Sequence, residues 1–271
     1  MPKSFFQDPF ALGAFALDVL MFAAIAFAET RPRHAPAAAT SDPSPPRLLA
    51  NFGLGITNSL LALLLPFSTV TTAELARQNH LGLLNHVAMP WIAGFLLLVA
   101  LRTLAAYLFH RASHAVPLLW RFHRIHHTHR AFDLSTAFRR HPVEVLMVAP
   151  IAIAVGLVSG ASVRTVVAAD MLLLLVGMWE HGALTVPPWL TRTLGWVVAT
   201  PEQHRVHHNR ERAHHDRNFG DTLILWDRLF GTYVDPAPIP RDFGLADANH
   251  RDTYLGQLMS PLGSSRQAPM P

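Results

Sequence analysis

Residues 91–127 read WIAGFLLLVALRTLAAYLFHRASHAVPLLWRFHRIHH. An apolar run broken only by Arg102 leads directly into five histidines: His110 and His114 in H-x3-H, then His123, His126 and His127 in H-x2-H-H. Helix positions three or four apart share a face, so each cluster offers neighbouring imidazoles to one point in space. A second H-x2-H-H follows at His204, His207 and His208. Histidine is 17 of 271 residues, so a random chain of this composition holds roughly 0.07 copies of that pattern. Two copies beside an H-x3-H are not chance.

Composition supplies the setting. The chain is 51% hydrophobic and 15% charged, against about 25% charged in a typical soluble domain. Five apolar stretches, at 9–28, 49–68, 88–109, 143–160 and 163–181, approach or exceed the roughly 20 residues that cross a bilayer. A cleaved leader ending at Ala26-Phe27-Ala28 is the rival reading of the first. It is disfavoured by the long run, by Asp18 within it and by the basic loop that cleavage would leave outside. Residues 31–47 are rich in proline, alanine and serine and read as a loop, and 260–271 as a frayed tail. The expected architecture is all-α: an integral-membrane bundle of four to five helices beneath a helical cap that holds the histidines. Three regions are expected: N-terminal helices and loop at 1–90, a core at 91–234 and a tail at 235–271.

Positive charge orients the bundle. Arg31, Arg33 and Arg47 lie in the first loop, six arginines in 110–141 and nine after 181, whereas the opposite side carries Lys3, Arg77 and Arg164. That bias puts 29–47, 110–141 and 182–271 in the cytoplasm, together with every histidine cluster. The arginines lie among apolar segments rather than on one polar basic face, which argues against nucleic-acid binding.

The absence of cysteine excludes disulfides, in-chain iron–sulfur clusters and thiolate-ligated haem. Neutral imidazole, by contrast, is a common transition-metal ligand. A lone buried histidine is usually a hydrogen-bonded core residue, and loose histidine tracts serve as buffers or pH sensors. These clusters abut apolar spans and enclose Trp120, Phe122 and Ile125, which suits an ordered site. Eight imidazoles exceed the four ligands of one zinc ion, so two metals are the natural count. His141, before the fourth span, and His181, at the end of the fifth, are expected to join them. His129, His214 and His215 are candidates for supporting contacts, and His34, His80, His86 and His250 look incidental. Asp133, Glu144, Glu180, Glu202, Asp216 and Asp227 are candidates to accept the imidazoles' second N–H, and Arg111 and Arg205 to meet headgroups or carboxylates.

The order Tyr107-x2-His110-Arg111-x2-His114, Leu119-Trp120-Arg121-Phe122-His123-x2-His126-His127, Arg139-Arg140-His141-Pro142-x-Glu144 and Thr200-Pro201-x2-His204-Arg205-x-His207-His208 resembles the sterol desaturase and fatty acid hydroxylase superfamily. Asn218-Phe219-Gly220 and Trp226-Asp227-Arg228-Leu229-Phe230-Gly231-Thr232 are similar too, so the likeness spans about 100–234. It departs where many members carry an acidic residue four positions before the tyrosine; here that residue is Thr103. The resemblance implies a membrane-bound, O2-dependent enzyme whose two non-haem iron ions are held by the histidine clusters. Its implied substrate is a sterol, fatty acyl chain, carotenoid or related lipid, hydroxylated or desaturated at a C–H bond. No cytochrome b5-like segment precedes the core, so an external donor, a ferredoxin or a cytochrome b5-like protein with its reductase, is expected. Two other classes use the same residues. A metal transporter or buffer would hold its ligands near the bilayer midplane. A zinc hydrolase would need a general base such as the glutamate of H-E-x-x-H, which the sequence lacks.

Overall fold

The computed structural model describes residues 9–31, 45–65, 68–237, 242–245 and 252–263. Lys3, Arg33, His34, His250 and most of the tail lie outside them. Twelve α-helices are present among the described residues, with short 3-10 turns between them and no β-structure beyond isolated bridges. The five long apolar stretches form α1 (Pro9–Glu29), α2 (Pro45–Leu64), α4 (Trp91–Ala115), α6 (Pro142–Ser159) and α7 (Val163–His181). Length and composition suit four segments to a bilayer: α1, the stretch that begins in α2, α4 and α6. Helix α7 is as long but carries Arg164, Asp170 and Glu180. Leucines 63 and 64 on α2 are 81% and 80% exposed, a disposition suited to lipid rather than water.

The short helix α3 (Thr69–Gln78) starts at a reciprocal cap between Ser68 and Thr71 and lies against α6. Gly156 lets the two backbones meet, because a Cβ there would collide with Thr72 Oγ1. Gly160, at φ +59°, closes α6 in the left-handed conformation and turns the chain into α7. Helix α4, at about 1.5 Å per residue, is longer than the roughly 30 Å hydrocarbon core. Counted from Trp91, His110 therefore lies near the edge of that zone and His114 beyond it.

The remaining helices build the cap: α5 (Pro117–His127), α8 (Pro188–Arg192), α9 (Pro201–His207), α10 (Arg212–His215), α11 (Leu225–Phe230) and α12 (Tyr254–Met259). Val116, held extended (φ −95°, ψ 119°) before Pro117, breaks α4 from α5 and folds α5 back beside it. Past the expected core, residues 252–263 return to the bundle. Tyr254 Oη lies 2.7 Å from Thr57 Oγ1 on α2, and the buried Arg139 donates to Asp252 at 3.1 Å.

Thr72 Oγ1 donates to Ser68 O at 2.7 Å, so it cannot swing aside without losing that bond. Gly156→Ala is therefore expected to lower unfolding stability in detergent by about 1–3 kcal/mol. Gly13→Ala, with nothing within 4 Å of the new methyl, should be neutral or gain up to about 1 kcal/mol. Equal melting temperatures for the two variants would contradict the α3–α6 contact.

Candidate metal centre

Four elements converge on the cap side of the bundle. Helix α4 supplies His110 and His114; α5 supplies His123, His126 and His127; α7 ends on His181; and α9 supplies His204 and His207 with His208 as its C-cap. Helix α9 begins at a sequence-encoded signal, Thr200 capping Gln203 reciprocally with Pro201 in the first turn. All these imidazoles are buried.

The rings sort into two groups. His110, His114, His123, His127 and His207 form one, and His126, His181, His204 and His208 the other; within each, one ring nitrogen per residue lies within 4.8 Å of the rest. The groups adjoin, with the His208 ring centroid 4.7 Å from that of His127 and the His204 centroid 5.5 Å from that of His207. His141 enters neither. Its Nδ1 accepts the Val143 N–H at 3.1 Å as the N-cap of α6, and its Nε2 faces Leu258 O at 3.2 Å.

One ring nitrogen of most of these residues is committed to an acceptor. Nδ1–H donates to Phe219 O from His110 (2.8 Å), to Asp216 from His114 (3.1 Å) and to Glu144 from His123 (3.1 Å). It donates to Arg139 O from His126 (3.3 Å), Gly177 O from His181 (2.7 Å) and Arg217 O from His207 (2.9 Å). A neutral ring has one N–H, so the Nε2 of each presents a bare lone pair. These lone pairs turn inward, toward the ring nitrogens of neighbouring histidines. Nε2 separations are 3.2 Å for His123–His127 and His126–His181, 3.0 Å for His181–His204 and 3.2 Å for His204–His208. The Nε2 atoms of His110, His114 and His207 are buried with no hydrogen-bond partner. Two nitrogens each about 2.0–2.1 Å from a shared ion lie roughly 3 Å apart. The donor set thus fits metal ions, and both groups could hold one.

The supporting contacts follow the expected carboxylates in part. Glu144 and Asp216 touch imidazoles as above. Glu180 lies 3.8 Å from His181 Nδ1 and accepts the Thr222 N–H at 3.2 Å. Asp227 works through the backbone: it accepts from Phe219 N and Gly220 N, both at 2.7 Å, and so aims the Phe219 carbonyl at His110. Tyr107 and Asp227 both meet the Thr232 hydroxyl, at 2.9 and 2.6 Å, which draws two distant motifs together. Asp133 instead pairs with Arg47 at 2.8 Å, and Glu202 accepts Val186 N–H at 3.0 Å; neither touches a ring of the two groups. Arg205 is buried; it donates to Gly182 O at 2.9 Å and lies 3.6 Å from Glu202. His215 stacks on Trp120 at 5.8 Å, and His129 lies 3.2 Å from Arg47. Asp221 is the carboxylate that the sequence reading passes over. It lies 3.3 Å from His110 Nδ1 and 3.5 Å from Arg140, and its only sequence signal is its place directly after Asn218-Phe219-Gly220. Thr103, the departure in the motif, accepts the Trp226 indole N–H at 3.0 Å.

A cavity of about 260 Å³ reaches the first group, lined by His110 and His123 at one end and by Phe109, Ile151, Ala152 and Leu173 further along. A second cavity, lined by Ala62 and Leu65 on the α2 side, shares Arg140, Glu144, Val148 and Ala152 with the first.

Comparison with known proteins agrees with this geometry. A model of the fatty acid hydroxylase family matches residues 95–232. The chain is 34% identical to alkylglycerol monooxygenase of Xenopus tropicalis over 135 residues, 47% of this chain and 28% of the relative. It is 27% identical to ornithine lipid hydroxylase OlsE of Rhizobium tropici over 204 residues, 72% of this chain and 58% of that protein. Fatty acid hydroxylase vlmA of a Lecanicillium species is 33% identical over 152 residues, 48% of this chain and 38% of that protein. The chain thus spans about a quarter of the alkylglycerol monooxygenases it matches and little more than half of the ornithine lipid hydroxylase. No solved structure matches.

Burial pushes the imidazoles of His123, His126, His127, His204, His207 and His208 below their ordinary range, and for most of them crowding by neighbouring rings adds to it. An unfolded chain protonates such rings below about pH 6.5. The folded metal-free protein does not, so the unfolded state binds more protons and stability is lost as pH falls. Chelator-stripped protein in detergent should melt at one temperature between pH 8 and 7 and progressively lower from pH 6.5 to 5. A melting temperature that holds or rises at pH 5 would contradict buried neutral rings.

Proposed function

The chain belongs to the fatty acid hydroxylase family, and on that premise we propose that it oxidises a C–H bond of a membrane lipid with dioxygen at two histidine-held iron ions. The observation that carries this reading is the pair of adjoining imidazole groups with their bare Nε2 atoms turned inward. His110, His114, His123, His127 and His207 would hold one ion, and His126, His181, His204 and His208 the other. Nitrogen donors suit iron among other first-row metals, and membership of a hydroxylase family supports iron over zinc. When bound, reduced iron supplies dioxygen activation and abstraction of hydrogen from an unactivated carbon, chemistry that no protein side chain provides.

The chain's own residues account for the rest. Glu144, Asp216 and the carbonyls of Phe219, Arg139, Gly177 and Arg217 fix which nitrogen of each ring carries hydrogen, and thereby orient the ligands. Phe109, Ile151, Ala152 and Leu173 form an apolar wall that admits a hydrocarbon and excludes water. The shared lining of the two cavities offers a path from the α2–α6 side, where a lipid would arrive. The named substrates of the relatives, alkylglycerols, ornithine lipids and fatty acids, are all long-chain amphiphiles, which supports a lipid here. The arginine bias supports a cytoplasmic centre, within reach of a ferredoxin or a cytochrome b5-like donor with its reductase.

Metal analysis of protein from iron-replete cells should find about two irons per chain, and His114→Ala about one, since it removes a ligand from one group only. Lipid profiling of a strain lacking the protein should show an oxygenated lipid missing. Retained zinc with an unchanged lipid profile would overturn the proposal. Asp216→Asn should keep the fold but lower metal affinity about 10–100-fold, as measured by chelator competition; unchanged affinity would remove Asp216 from the centre.

A further inference from the structure

The substrate cavity has a second polar end that the metal chemistry does not use. On α4 it runs from His110 back to Arg102, eight residues or about 12 Å along the helix. On α6 it runs from Glu144 to Val155, and on α7 from Glu180 to Leu173, so three helices each line an elongated chamber over roughly 10–17 Å. Between the ends the lining is apolar, chiefly Ala106, Phe109, Ile151 and Ala152. Arg102 stands near the midpoint of α4, where an ionisable residue is costly and usually functional. Its Nη1 donates to Asp170 on α7, and its side chain is only 18% exposed.

We infer that Arg102, held and neutralised by Asp170, binds a neutral hydrogen-bond acceptor of the substrate, a hydroxyl or ester carbonyl, about 12 Å from the metal centre. A guanidinium has five N–H donors in a fixed fork, more than one carboxylate can occupy, so the pair can still donate into the chamber. Because the pair has no net charge, it does not favour a carboxylate or phosphate. Roughly nine or ten methylenes in extended conformation cover the distance from Arg102 to His110. The fork thereby acts as a ruler, setting which carbon of an acyl or alkyl chain meets the metals. This assignment rests on the reading of the cavity as the substrate chamber.

The test is binding of tritiated 1-dodecanol, with dodecane and dodecanoate as competitors, to iron-loaded protein in lipid nanodiscs without oxygen, after subtraction of empty nanodiscs. The wild type should bind dodecanol about tenfold or more tighter than dodecane, as one hydrogen bond to a charged group provides, and dodecanoate no tighter than dodecanol. Arg102→Leu/Asp170→Leu removes both charges and leaves neither unpaired. A second variant, Arg102→Gln/Asp170→Asn, keeps side-chain shape. In whichever retains its iron, the preference for the alcohol should fall to about threefold or less. A preference that survives both variants, or dodecanoate binding tightest to the wild type, would overturn the role of Arg102. Failure of the wild type to bind any of the three would overturn the chamber itself.

Discussion

Bare imidazole nitrogens that face one another in a dry interior repel, and each left unpaired costs about 1–3 kcal/mol. The core of this protein is built around such nitrogens. His110, His114 and His207 leave Nε2 buried without a partner, and His126 and His181, whose Nδ1 hydrogens are held by carbonyls, bring theirs to 3.2 Å. Because the carbonyls of Phe219, Gly177 and Arg217 hold the Nδ1 hydrogens of His110, His181 and His207, those rings cannot relieve the conflict by changing tautomer. Cations resolve it. The loops and capping residues around the site hold the rings in that arrangement.

That requirement explains several features with no direct contact to the rings. Helix α4 is long enough for its final turns to place His110 and His114 at the edge of the apolar zone. The Val116-Pro117 break returns α5 onto the same point. Asp227 is one residue removed from a ring contact, yet it clamps the 218–220 loop whose carbonyl orients His110. Ligands at the end of a span rather than at its midpoint distinguish this arrangement from a transport pathway. The apolar chamber that opens onto them suits a hydrocarbon substrate.

Much of this was legible in the sequence because it is local. The two H-x2-H-H patterns and H-x3-H state the imidazole faces that converge, and apolar length states the helices that carry them. His181 was legible from its position at the end of an apolar stretch. The same reasoning paired it with His141, but a histidine directly before a proline at a helix start can satisfy its ring by capping the backbone, as His141 does with Val143. Asp221 was not legible, since its role depends on Asn218 and Thr222 holding positive φ and folding the loop against α4. Asp133 and Glu202 looked equivalent to Glu144 by proximity in sequence, yet only geometry separates a carboxylate that meets a ring from one that pairs with arginine or backbone. The return of residues 252–263 to α2 likewise carries no periodic signal.

X-ray absorption at the iron edge of the anaerobic, iron-loaded protein tests the central claim most directly. Convergent imidazoles predict a nitrogen-dominated shell at about 2.0–2.2 Å with the outer-shell pattern of imidazole rings. A shell of oxygen scatterers without that pattern would mean that the histidines do not hold the metal.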